Sequence, residues 1–147
     1  MSTARDLGLM VSMKRLERPT RTVAEAARAV GTEPARIAKS IVFVADGEPM
    51  VCVASGAHKI DKRALCDVLD CAVLHAASPD EVRAATGFSP GGVPPFSHGL
   101  PVVIDEALLE FPTVWAAGGD GNTVFEVDPK VLASCCKATV AAVGDES

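Results

Sequence analysis

The sequence predicts a single mixed α/β domain over residues 1–147, with a sheet that is mostly antiparallel or mixed. Three observations carry that reading. A content of 48% hydrophobic and 22% charged residues is a globular balance. A chain of 147 residues suits one domain, which at that size buries about 70% of its unfolded surface. Helix start signals and β-rich runs alternate irregularly, and an Asp46-Gly47 pair stands between two of those runs.

The elements follow in order. Thr22 and Glu25 form a capping box, and the helix they open carries Ala26, Ala27 and Val30 before stopping at Gly31. Thr32 and Pro34 start a second, short helix expected to carry Ile37 and end near Lys39. Residues 40–45 and 49–55 are β-rich, and the Asp46-Gly47 pair between them is a hairpin signal. Asp61 caps a helix through Leu65 and Leu69, and residues 71–75 read as a short buried strand. Ser78, Pro79 and Glu81 make a second capping box, whose helix ends at Gly87. Strands are expected at 100–104, 113–117 and 123–127. Asp105 caps a turn through Leu108, and Asp128-Pro129 opens a last helix.

Bulk properties exclude several classes. A net charge of −5 argues against a broad surface for duplex nucleic acid, so no DNA partner is expected. No run approaches the length of a membrane span, and the first twenty residues lack a secretory apolar core. The five cysteines (Cys52, Cys66, Cys71, Cys135 and Cys136) are odd in number and show no CxxC spacing. That pattern suggests reduced thiols in a cytoplasmic protein, each of them buried and inert.

The chemistry-bearing patterns are few. Residues 86–95 hold three glycines and three prolines, a stiff loop whose free amides can face a ligand. It is either a tight helix-to-strand connection or a binding loop. His58, His75 and His98 lie far apart, so neither a metal nor a cofactor is expected. His75, in an apolar run, reads as a core histidine, whereas His98, just past the loop, is a candidate to face a pocket, on the slight weight that a lone histidine carries. Ser89 and Ser97 flank the loop without a nucleophile elbow, and no glycine pattern fits a nucleotide fingerprint. Lys39 is the most suggestive charge; it either favours a helix C-terminus or points into a pocket.

Taken together, these fragments resemble the YbaK/ProRS editing-domain family over residues 22–136. The residues that carry the likeness are Ile37-Ala38-Lys39-Ser40, Lys59-Ile60-Asp61, Thr86-Gly87, Gly91-Gly92-Val93-Pro94-Pro95 as a G-x-x-x-P loop, Val103-Ile104-Asp105, and Ala117-Gly118-Gly119. The resemblance implies an α/β fold around a largely antiparallel, partly barrel-like sheet surrounded by helices. It also implies a trans-editing aminoacyl-tRNA deacylase that hydrolyses the ester of a small mischarged amino acid, most readily on tRNA-Pro. Lys39, Gly91 and Gly92 are then the expected catalytic residues. Pro95, Asp105, Gly118, Thr86, Gly87 and His98 are the expected substrate-binding ones. The partner is the tRNA 3′ acceptor end, with an aminoacyl-tRNA synthetase as a candidate second partner. The alternative is a member that keeps the pocket without turnover and binds a tRNA end or a small molecule.

Overall fold

A computed structural model describes residues 12–15, 23–57, 59–88, 99–117 and 123–145. The first elements are strand β1 (Ser12–Arg15), helix α1 (Val23–Val30), a 3₁₀ turn η1 (Pro34–Arg36), and the long strands β2 (Ile37–Ala45) and β3 (Glu48–Ser55). A short β4 (Lys59–Ile60), helix α2 (Lys62–Leu69), β5 (Leu74–Ala76) and helix α3 (Pro79–Thr86) follow. The chain then runs through β6 (Val102–Asp105), η2 (Glu106–Glu110), β7 (Val114–Ala117), β8 (Thr123–Val127) and α4 (Pro129–Cys136) to β9 (Thr139–Ala141) and β10 (Gly144–Asp145).

The main sheet has the order β1-β8-β7-β2-β3-β6-β9, with β5 added beside β2. Pairings β1–β8, β7–β8, β2–β3 and β2–β5 are antiparallel, whereas β2–β7, β3–β6 and β6–β9 are parallel. The expected mixed α/β domain is therefore present, and among the described residues the strand path stays open rather than closing into a barrel. Four α-helices are among the described residues.

Its centre is the β2–β3 hairpin. Asp46 and Gly47 take positive φ (49° and 83°), the conformation that a two-residue turn needs to match strand twist. The pairing then runs from Ala45↔Glu48 to Ala38↔Ser55 without a break. Side chains alternate across it into two layers. Val42, Val51, Val53 and Ile104 join Phe125 and Leu132 on one face. Phe43, Met50, Cys52 and Val103 join Leu65 of α2 on the other. Around α1 a third group forms from Ala26, Ala27 and Ile37.

Caps behave as the residue types require. Asp61 accepts from the amides of Arg63 and Ala64, and Asp128 from that of Lys130. Ser78 and Glu81 form the reciprocal capping box. Thr22, the cap expected for α1, lies outside the described residues.

Four expectations are corrected. Ile37 to Lys39 are strand, not the end of a helix. The 3₁₀ turn stops at Arg36, whose Nε donates to the Thr113 carbonyl at 3.0 Å and whose Nη2 donates to Thr113 Oγ1 at 2.6 Å. Those bonds seat the chain beside β7, where Ile37 pairs with Trp115, and the tertiary pairing overrides local helix preference. The strand expected at 71–75 is only Leu74 to Ala76. Within it His75 is exposed and faces Glu81 at 3.6 Å, so it is not a core residue. Nor are all the cysteines buried: Cys52 is, while the other four are partly exposed.

The hairpin tip has a second role that the sequence reading missed. Asp46 Oδ1 accepts from the amides of Ala72 (3.0 Å) and Val73 (2.8 Å), and the Asp46 amide donates to the Val73 carbonyl at 2.9 Å. The tip thereby clamps the segment leaving α2. Leu65, fully buried between α2 and the sheet, anchors the middle of that helix. Leu65→Ala is expected to cost about 2–5 kcal/mol, read as a lower urea midpoint at unchanged slope.

Candidate active site

Lys39, Ala54 and Asp105 form a row across three central strands. Lys39 pairs directly with Ala54 in the hairpin. The parallel register Val53↔Ile104 puts Asp105 one step further on, beside Ala54. By alternation this row lies on the face of Ile41, Cys52 and Val103, between the part of the sheet covered by α1 and the part covered by α2. The residue between the two charges is an alanine, so a methyl is all that rises from the middle of the row.

The electrostatics are those of a charge on an apolar floor. Burial pulls the Lys39 ammonium below the ordinary lysine range, with Cys52 and Asp105 opposing that shift and Lys59 adding to it. Asp105 is only 2% exposed. Its carboxylate caps η2 by accepting from the Ala107 amide at 3.1 Å and also receives the Ser55 amide at 3.5 Å. A buried carboxylate is tolerated only where such donors meet it. Asp105 is therefore held in place by backbone amides while it senses Lys39. Ser55, also buried, donates its hydroxyl to the Ala35 carbonyl at 2.8 Å, which ties β3 to η1.

Cys52 lies beside this row. Burial first and Asp105 second push its thiol up to about 12, so it stays protonated and is a poor nucleophile at neutral pH. Among the described residues, no three His, Cys, Asp or Glu side chains converge as metal ligands.

Thr86 and Gly87 end α3. The buried Thr86 hydroxyl donates to the Val82 carbonyl at 2.7 Å and accepts from the Phe88 amide at 3.0 Å. Gly87 sits at φ 79° with its amide on the Arg83 carbonyl, and open space surrounds the place of a side chain. Its requirement is thus the left-handed conformation rather than room. These two residues set the direction in which the chain leaves the helix toward residues 89–98. Gly91, Gly92, Pro95, His98 and Gly118 lie outside the described residues.

Of the expected site, the structure therefore brings together Lys39 and Asp105. Cys52, Ala54 and Ser55 complete their surroundings, and sequence reasoning did not single them out. A signal existed, because counting outward from the Asp46-Gly47 turn places Ala54 opposite Lys39.

Comparison with known proteins bears on what such a row serves. The family description "Aminoacyl-tRNA editing domain" matches residues 17–135. The Bacillus subtilis protein YwhH is 37% identical over 119 residues, covering 79% of this chain and 75% of YwhH. Proline--tRNA ligase of Oleidesulfovibrio alaskensis is 29% identical over 99 residues, which are 67% of this chain and 17% of the ligase. The chain thus spans under a fifth of that enzyme. A crystal structure described as that of a proposed trans-editing enzyme for prolyl tRNA synthetase superimposes with a TM-score of 0.89 at 39% identity. It covers 98% of this chain, which in turn covers 93% of it.

Asp105→Asn keeps a capping side chain while removing the charge that supports the Lys39 ammonium. The Lys39 titration, followed by NMR of its side-chain methylene, is expected below 10.5 in the parent chain and lower still in the variant. An unmoved midpoint would show that the two groups do not sense each other. A lysine with a lowered folded pKa binds fewer protons folded than unfolded between its two midpoints. Its contribution to stability is therefore unfavourable at neutral pH, and the penalty fades as pH rises through the folded midpoint.

Proposed function

The chain belongs to the aminoacyl-tRNA editing domain family, and from that premise we propose that it is a trans-editing deacylase. It hydrolyses the ester between a small, wrongly attached amino acid and the terminal adenosine of tRNA, with tRNA-Pro as the expected carrier. The observation that carries this reading is Lys39, a partly desolvated cation on a small-residue floor beside a buried carboxylate.

The chemistry suits that floor. An aminoacyl ester is already activated, so its hydrolysis needs a placed water and stabilisation of the developing oxyanion more than a strong base. Lys39 holds the 3′ end of the substrate. Its reduced hydration strengthens its pull on an anionic or carbonyl oxygen, since electrostatic interactions grow as water is excluded. Asp105 keeps the cation charged and oriented and lines the pocket with Gly118. The amides at Gly91 and Gly92 donate to the oxyanion, and Pro95 stiffens their loop. Thr86, Gly87 and His98 are the further substrate-binding residues of this reading. Water activation falls to the vicinal ribose hydroxyl of the substrate, in keeping with a protonated Cys52 and the lack of a nucleophile elbow.

Selection by size explains why such a site exists. A synthetase pocket gains only about 1–3 kcal/mol from one methylene, too little to reject a smaller amino acid. A second pocket that excludes the correct residue corrects the error. Recognition of the tRNA is confined to its acceptor end, with Lys59 of β4, whose charge reaches Lys39, and the exposed Lys62 and Arg63 at the start of α2 as the proposed contacts. An aminoacyl-tRNA synthetase is the proposed second partner and the cytoplasm the proposed location. No helix among the described residues is long and apolar enough to cross a membrane.

A panel of tRNAs charged with alanine, cysteine, serine and threonine tests the reading. Release of at least one above the uncatalysed rate is expected. Release of none would sink the deacylase, and binding without release would favour the inactive binding member. Lys39→Ala is expected to lower turnover about 100-fold or more, the scale of losing one charge-stabilising donor, with unchanged circular dichroism. Full activity in that folded variant would remove Lys39 from the site.

A further inference from the structure

Outside the candidate site, Cys66 and Cys71 stand apart from the other cysteines. Cys66 is in the last turn of α2, and Cys71 follows the left-handed Asp70 (φ 54°) that ends the helix. That reversal folds the chain back, so that the Cys71 amide donates to the Cys66 carbonyl at 3.1 Å. The Cys66 thiol reaches the Cys71 carbonyl at 2.8 Å, and the two sulfurs lie 2.7 Å apart. Both residues are half-buried, within reach of a small reagent. Cys52 by contrast is sealed in the core, and Cys135 and Cys136 are neighbours in a helix, where consecutive side chains do not face each other.

The surrounding fold holds this arrangement in place. Asp46 grips the amides of Ala72 and Val73, immediately after Cys71. Leu65, immediately before Cys66, is locked in the core. Each thiol is thus fixed by a neighbour anchored elsewhere. A disulfide needs sulfurs about 2.05 Å apart, so the pair has well under one ångström left to close.

We propose that Cys66 and Cys71 are a reversible modification site, oxidised to an intramolecular disulfide by a low-molecular-weight disulfide such as oxidised glutathione. The Cys66 thiolate, having released its proton to solvent, attacks one glutathione sulfur and expels glutathione thiolate. The Cys71 sulfur, losing its own proton, then attacks Cys66 in the mixed disulfide and expels the second glutathione. Two protein thiols are oxidised, and one glutathione disulfide is reduced to two thiols. The hydrogen bond to Cys66 first, and burial second, hold the Cys71 thiol above the usual range, so the opening attack falls to Cys66 and the closing attack by Cys71 relies on the two sulfurs already being held together. The product staples the end of α2 to the turn that the hairpin tip clamps. The proposal is independent of the deacylase reading, since its readout is a bond and not turnover.

The full chain is equilibrated with mixtures of reduced and oxidised glutathione, quenched with acid, alkylated and digested with trypsin. The peptide from Ala64 to Arg83 contains both cysteines. It is expected without alkyl groups and two hydrogens lighter than its dithiol form, and restored by dithiothreitol. The equilibrium constant for closure is expected to be at least about tenfold larger in the native chain than in urea, because the fold holds the sulfurs together. Cys66→Ser and Cys71→Ser are each expected to leave the remaining thiol open to alkylation or as a glutathione adduct. A doubly alkylated peptide from oxidised native protein would overturn the proposal. So would a persistent glutathione adduct in the parent chain, or equal closure in native and urea-unfolded protein.

Discussion

The two-residue turn at Asp46-Gly47 is the constraint on which the other features rest. Because both residues adopt left-handed backbone, the strands leave the turn in one register with no bulge. That register decides which side chains share a face, as a slip of one residue would turn each of them over. With it in place, Cys52 and Met50 meet α2, while Val51 and Val53 meet the opposite layer. Lys39 lands on the face that it shares with Asp105 rather than among Val42, Ile104 and Phe125. The parallel partners β6 and β7 then add to a centre already defined, β6 bringing the carboxylate and β7 receiving Ile37.

The site gains from costs that the fold absorbs elsewhere. A partly desolvated ammonium opposes folding, and a carboxylate at 2% exposure is tolerated only with donors around it. Backbone amides of Ala107 and Ser55 meet that need without adding another charge. The large apolar faces on either side supply the stability that the polar row does not. A strained or polar centre set in a regular apolar frame is the usual signature of a functional position.

Much of the frame was legible because its signals are local. Capping at Asp61, Ser78 and Asp128 depends on side chains within three residues of the amides they satisfy. The hairpin depends on two adjacent residues with the right backbone freedom. What escaped was set by distant partners. Arg36 ends its turn because Thr113, far along the chain, accepts its guanidinium, and this made Lys39 a strand residue instead of a helix end. His75 looked buried because its neighbours are apolar, yet it falls on a short strand beside β2 with its ring toward Glu81. The closing strands β9 and β10 pair with β6 and β4 through contacts that no nearby residue announces. Within the site, Lys39 and Asp105 could be named from the family likeness, while the row joining them needed the register.

The tip of a surface hairpin is ordinarily where protein engineers graft foreign peptides or splice in tags, because such tips tolerate insertion. Here that site is closed to them. The carboxylate of Asp46 is occupied by two amides of another segment, and its own amide by a carbonyl of that same segment. A graft at this apex would therefore release the exit of α2 together with the turn, and its damage would surface far from the point of insertion.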